Sequence, residues 1–123
     1  MSTWSAPVRY AEVDQQGVVF NSHYLLYCDE AMGAFCLQRG LDNFVAVVRL
    51  ATSTLTWTGP ARWGDDIEVD VRCGQVGRTS ATVTFDMRAG GRPCCQVDTV
   101  YVYADGSGTP VEIPDDVRAG LLR

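Results

Sequence analysis

Val8-Arg-Tyr-Ala-Glu-Val-Asp-Gln-Gln-Gly-Val-Val-Phe-Asn-Ser-His-Tyr-Leu-Leu-Tyr-Cys-Asp-Glu-Ala31 decides how the rest of the chain is read. Residues 6–14 read as a short strand that carries Asp14. Gln15-Gln16-Gly17 reads as a turn, Val18-Val19-Phe20 as a brief apolar run, and Asn21-Ser22 as a helix start. From there Tyr24, Tyr27, Cys28, Ala31 and Phe35 recur at spacings of three and four, which predicts a helix over 22–39. Asn21 or Ser22 suits the N-cap, and Gly40 behind Arg39 suits the stop. Leu25, Leu26 and Met32 make the other faces apolar as well, so this helix is expected to be buried all round. A helix start leaves backbone N–H groups unpaired and carries partial positive charge. It can hold an oxyanion, and an acid a few residues upstream can serve as base or nucleophile. The arrangement points to acyl-transfer or hydrolytic chemistry.

Beyond the helix the chain turns β-rich. Phe44–Thr58 is dense in Val, Leu, Thr and Trp and long enough to bend or carry a bulge. Over Asp65–Gln75, Ile67, Val69, Val71 and Cys73 alternate with Asp66, Glu68, Asp70 and Arg72. Thr79–Arg88 alternates again through Ala81, Val83, Phe85 and Met87, and Gly90-Gly91 reads as a hairpin turn into Arg92–Tyr103. Residues 115–122 read as a short helix. One long helix followed by strands with one apolar side each predicts an α+β fold, a curved antiparallel sheet wrapped around the helix. The whole chain, 1–123, reads as one domain. Such a sheet leaves an edge that a partner subunit can cover.

Composition narrows the class. The chain has 46% hydrophobic and 20% charged residues, ordinary for a globular protein. No segment reaches the roughly 18 consecutive apolar residues of a membrane helix. Met1-Ser-Thr-Trp-Ser-Ala-Pro lacks the basic and apolar regions of a signal peptide, so a cytoplasmic location is expected, without membrane partners. A net charge of −5 argues against nucleic acid as a partner, because phosphate backbones are bound by clustered cations. All ten basic residues are arginine. The five cysteines, 28, 36, 73, 94 and 95, form no Cys-x-x-Cys pair, and a single histidine leaves little for zinc. Reduced structural thiols are expected, with no metal and no cofactor.

The opening stretch resembles the hotdog-fold thioesterases of the 4-hydroxybenzoyl-CoA type, a family that includes short bacterial acyl-CoA thioesterases. Asp14, Gly17, Val18, Val19, Phe20, Tyr24, Tyr27, Glu30 and Ala31 fill its first motif. Gly59-Pro60-Ala61-Arg62-Trp63-Gly64-Asp65 resembles its Pro-Ala turn, and residues 111–122 resemble its closing Pro-plus-helix tail. The resemblance implies the hotdog fold, sheets joined edge to edge between subunits, and active sites lying between them. A homodimer or homotetramer is therefore expected.

Each candidate residue carries a plain reading beside the chemical one. Asp14 alone reads as a turn-capping aspartate. In its motif the resemblance implies a catalytic carboxylate that attacks a thioester carbonyl or activates water. Asn21 reads as an N-cap, and the resemblance implies that its backbone N–H polarises the carbonyl. Gly17 permits a positive φ or a close substrate approach. His23 is a second candidate for general base, against the plain reading of a surface histidine. Tyr24 belongs to the substrate side of the motif. An aspartate matches position 29 in the hydroxybenzoyl branch near the acyl end, which makes Asp29 a pocket candidate. Another hotdog branch uses a helix carboxylate as its catalytic group, so the resemblance also leaves Asp29 or Glu30 as a replacement for Asp14, against the plainer reading of a pocket contact or interface ion-pair partner. Arg62 and Arg78 are candidates for the phosphates of coenzyme A, although surface arginines most often only solubilise. Trp57, Trp63 and Phe85 read as core or interface residues.

The function these readings imply is hydrolysis of acyl-CoA or acyl-carrier-protein thioesters to free acid and thiol. Two alternatives stand beside it. One is a hotdog hydratase or dehydratase, for which Asp14 and His23 are not at the Asp-x-x-x-x-His spacing. The other is a non-catalytic module that binds acyl thioesters, since a fold alone does not fix function.

Overall fold

The computed structural model describes residues 2–123, so Met1, where the leader and domain readings begin, lies outside it. The elements in order are β1 (Trp4–Pro7), a 3-10 turn (Tyr10–Glu12), α1 (His23–Gln38), α2 (Phe44–Val47), β2 (Val48–Trp57), β3 (Asp66–Val76), β4 (Ser80–Ala89), β5 (Arg92–Tyr103) and α3 (Asp115–Leu122). The strands form one antiparallel sheet in the order β1-β3-β4-β5-β2. No helix among the described residues is long and apolar enough to cross a membrane.

Strand alternation and helix periodicity meet in one core. Ile67, Val69, Ala81, Val83, Phe85, Met87 and Val97 line the inner sheet face and are buried. Against them α1 sets Tyr24, Cys28, Ala31, Met32, Phe35 and Cys36. The outer face is polar: Arg72 pairs with Asp86, Arg88 with Asp70 at 2.8 Å, and Thr84 donates to Asp98 at 2.8 Å. Gly90 and Gly91 have φ of 57° and 80°. Positive φ at both central residues of a two-residue hairpin matches the twist of the strands it joins. The hotdog layout expected from the resemblance is present.

Three expectations need correction. Residues 6–14 are not one strand: β1 ends at Pro7, and the chain coils into the 3-10 turn before Asp14. The last bond of the β1–β3 ladder is Val8 N–H to the Asp65 carbonyl (2.9 Å), after which the Glu12 carboxylate takes up the Arg9 N–H and guanidinium to close that turn. Phe44–Val47 is a helical turn rather than the start of the long strand, and the bulge falls between Leu50 and Thr52 of β2. Finally, α1 is not buried all round. Leu25, Leu26 and Leu37 are exposed in the single chain.

Candidate active site

The loop that carries Asp14 is held by backbone bonds. Asp14 N–H donates to the Val18 carbonyl (2.9 Å), and Gly17 N–H donates to the Asp14 carbonyl (3.0 Å). Gly17 sits at φ +76°, so a residue without Cβ is needed to close this turn. Val13 bridges Val19, and Val18 bridges Arg62. Val19 N–H then donates to the Ala61 carbonyl (2.8 Å), and Trp63 N–H donates to the Gly17 carbonyl (3.2 Å). The Asp14 loop and the Pro60-Ala61 turn thus form one small sheet-like unit at the head of α1.

Asp14 is exposed in the single chain. Its Oδ1 accepts from Gln16 N–H at 2.8 Å and from Val18 N–H at 3.4 Å. Its Oδ2 meets no donor among the described residues. The turn-capping reading therefore holds for one oxygen, and the other is available.

At the start of α1, His23 N–H donates to the Phe20 carbonyl (3.0 Å) and Tyr24 N–H to the Asn21 carbonyl (3.4 Å). The N–H groups of Asn21 and Ser22 meet no acceptor among the described residues. The N-cap is Ser22, and its side chain makes no capping bond. Asn21 is exposed, and its side chain also takes no part, so the expected side-chain cap is not formed. What is offered is main-chain N–H, the kind of donor that stabilises an oxyanion. At most about 10 Å of extended chain separates Val18, paired with Asp14, from Asn21.

The other candidates divide. His23 is half-buried beside this start, and its ring meets no partner among the described residues. Tyr24 is 2% exposed and stacks edge-on to Trp57 (5.7 Å between centroids) and Tyr27 (6.1 Å). It supports the helix start from within the core, and burial raises its phenol's pKa. Asp29 lines a cleft of about 290 Å³ with Met32, Val48, Leu50 and Tyr101, open at the β2 edge. Burial, with a smaller push from Glu30, raises its carboxyl above the usual range. Arg62 is exposed within the Asp14 unit, and its N–H donates to Asp65 Oδ2 at 2.9 Å. Arg78 lies beyond the far end of β3, roughly 35 Å away along an eleven-residue strand. One chain does not bring Arg62 and Arg78 together. Among the described residues no three His, Cys, Asp or Glu side chains gather as metal ligands.

The sequence reading missed Glu12. It is 3% exposed, its Oε1 accepts from Arg9 N–H (2.9 Å) and Tyr27 hydroxyl (2.8 Å), and its Oε2 accepts from Arg9 Nε and Nη2 (2.9 and 2.6 Å). In a strand, residues three apart face opposite sides, which hid the Arg9–Glu12 pair; in a 3-10 turn they eclipse. An Arg-x-x-Glu spacing behind Pro7 was the available signal.

The geometry finds company in known proteins. The family described as the thioesterase superfamily matches residues 16–96. A chloroplastic acyl-acyl carrier protein thioesterase of Arabidopsis thaliana is 33% identical over 94% of this chain, and the chain spans 64% of that protein's length. A hypothetical protein from Thermus thermophilus superposes with a TM-score of 0.87 at 28% identity, covering 96% of this chain and 95% of its own. A thioesterase from the same organism, crystallised with coenzyme A and zinc, superposes at 0.89 with 24% identity, covering 96% and 89%; this is a likeness of fold.

Proposed function

The chain belongs to the thioesterase superfamily, and on that footing we propose that it hydrolyses acyl thioesters of coenzyme A or of an acyl carrier protein to free acid and thiol. One observation carries the reading: a carboxylate oxygen of Asp14 without a donor and two helix-start N–H groups without an acceptor belong to one hydrogen-bonded unit. In this reading Asp14 attacks the thioester carbon directly or deprotonates a water that does so. The Asn21 N–H, reinforced by the α1 dipole, holds the oxyanion as the tetrahedral intermediate forms. Collapse of that intermediate expels the thiolate; on the direct route this leaves an acyl–Asp14 anhydride, which a water then cleaves to the free acid and the restored Asp14 carboxylate. His23 stands beside the same helix start as a second base. In the same reading Gly17 lets the backbone approach the substrate, and the exposed Arg62 side chain meets a phosphate of the thiol carrier. The Arabidopsis relative is named for acyl-acyl carrier protein, which supports keeping the carrier-bound substrate in the proposal.

The proposed unit of function is a homodimer or homotetramer of one domain spanning 1–123. β2 is an outermost strand of ten residues. The cleft of Asp29, with the exposed Leu50 on its wall, flanks the surface a second copy would cover. A cytoplasmic location belongs to the same reading, supported by the burial of Cys28, Cys36, Cys94 and Cys95 in the core as thiols.

The test is a panel of aromatic and aliphatic acyl-CoA and acyl-carrier-protein thioesters with free thiol as the readout, run on the chain and on Asp14→Asn. Thiol release that disappears in Asp14→Asn is expected. Unchanged release in that variant ends the assignment of Asp14, and recovery of every thioester intact ends the enzymatic reading.

A further inference from the structure

We propose that Glu12 is the positioning residue of this site, holding the Asp14 loop at a fixed distance from the head of α1; the inference rests on the Asp14 reading above. Three structural parts meet at this one residue. Its Oε1 accepts from the Tyr27 hydroxyl at 2.8 Å, and Tyr27 is the fifth residue of α1. Both its oxygens take the Arg9 fork and N–H at 2.6–2.9 Å, which closes the 3-10 turn leading to Asp14. Its carbonyl accepts from Phe20 N–H at 3.0 Å, immediately before Asn21. The main chain of Glu12 therefore ties the two ends of the Asp14 loop together, and its side chain pins that loop to the helix that supplies the oxyanion donors.

The chemistry requires such a pin. Asp14 itself is exposed and is anchored by a turn of its own, so nothing in its side chain relates it to α1. A carboxylate buried to 3% exposure with three donor groups around it is costly to assemble, and breaking one partner leaves charge unpaired. Burial pushes the Glu12 carboxyl up, but the Arg9 N–H, its guanidinium and the Tyr27 hydroxyl outweigh it and leave the group below the usual range. It thus stays a full acceptor while the reaction runs. The burial of Tyr27 and its bond to Glu12 likewise keep the phenol protonated, as the donor this arrangement needs.

The experiment compares steady-state kinetics of Glu12→Gln, Tyr27→Phe and Asp14→Asn, with Glu12→Gln also placed in the Asp14→Asn background. Displacing a reacting group by about 1 Å costs roughly a hundredfold in rate, so kcat should fall about that far in Glu12→Gln with KM within about twofold. Tyr27→Phe, which keeps the ring and removes only the hydroxyl, should lose less kcat with the same unchanged KM. In the Asp14→Asn background, single-turnover measurements should find no further loss from Glu12→Gln, because both changes act through one group. A merely structural Glu12 would give losses that multiply, and that result overturns the inference. So does an unchanged kcat in folded Glu12→Gln. Should circular dichroism find Glu12→Gln unfolded, Tyr27→Phe decides: a fall in kcat alone supports the inference and an unchanged kcat overturns it. Normal turnover in Asp14→Asn overturns both this inference and the reading beneath it, whereas a dead Asp14→Asn with a fully active Glu12→Gln overturns this one only.

Discussion

The main-chain N–H of Gln16 donates to Asp14 Oδ1 at 2.8 Å. That bond anchors one oxygen of the carboxylate, while Oδ2 meets no donor among the described residues. The turn-capping role of an aspartate before Gly17 thus uses one oxygen of the group, and the chemical role proposed for Asp14 needs only the other.

Asp14→Asn should separate them. The amide oxygen can still accept from Gln16, so the turn survives and stability should change by no more than about 0.5 kcal/mol, as for other exposed sites. The second position becomes an amide, which neither attacks nor takes a proton. Loss of a positioned base costs roughly a hundredfold to ten-thousandfold, and kcat should fall within that range. Thiol release and urea midpoints measured on the same preparation check both halves.

Asn21 should respond to proline and not to alanine. Its side chain makes no bond, so Asn21→Ala should leave turnover nearly unchanged. Asn21 follows Phe20 in the turn closed by His23 N–H on the Phe20 carbonyl, a position where proline is favoured. Asn21→Pro therefore removes the N–H with little cost to the turn. Loss of one oxyanion donor costs roughly a hundredfold to a thousandfold in kcat. Equal activity in the two variants would remove the Asn21 N–H from the mechanism.

The parts legible in the sequence were those ruled by periodicity. Ile67, Val69 and Val71, and Ala81 through Met87, alternate as read, and α1 starts and stops within a residue of its expected ends. What escaped depended on contacts across the chain. Glu12 was hidden because β1 ends at Pro7 and the residues after Val8 coil into a 3-10 turn, which makes an out-of-phase pair into neighbours. Tyr24 looked like a substrate residue because its spacing fits the motif equally well when its ring packs inward on Trp57. Arg62 and Arg78 both sit in turns, and the strand read over Asp65–Gln75 already set them at its opposite ends, as β3 does.

Stability at low pH should depend on Glu12. Its folded-state carboxyl lies below the ordinary value of 4.5, so the unfolded chain binds this proton first as pH falls. The stabilisation is complete above that ordinary value and is lost as pH drops through the lower folded one. Urea midpoints between pH 7 and pH 3 should fall more steeply in the wild-type chain than in Glu12→Gln. Parallel curves would mean that the carboxylate contributes nothing through its charge.

The cysteines should be quiet in the folded protein. Burial pushes the thiols of Cys36 and Cys94 up to about 11 and that of Cys95 to about 12, and it raises Cys28 and Cys73 as well. Alkylation proceeds through the thiolate, which is scarce at pH 8 for such groups. Only half-buried Cys73 is accessible enough to react slowly with iodoacetamide in the native state. Mass spectrometry should find at most one adduct natively and five in urea. Rapid native labelling of Cys95 would mean that the sheet opens near Trp57.

The last prediction concerns the free edge. Among the described residues β2 pairs with β5 on one side and with no strand on the other, and it is far longer than β1, the four-residue strand at the opposite edge. A row of unpaired N–H and C=O groups over ten residues is a template for another strand, and lysine is the residue that blunts such templates. Leu50 is 51% exposed on this edge and lines the cleft of Asp29 and Tyr101. Leu50→Lys should therefore cost the single chain little stability while opposing the joining of two β2 strands, each of which would bring its own charge. Light scattering after gel filtration should show the assembly shifting to monomer, with the midpoint moving to higher protein concentration. Turnover per chain should fall in step with dissociation, because in the proposed homo-oligomer a second copy walls this cleft. A variant that stays assembled at every concentration would remove β2 from the interface, and a fully active monomer would mean that one chain holds the whole site.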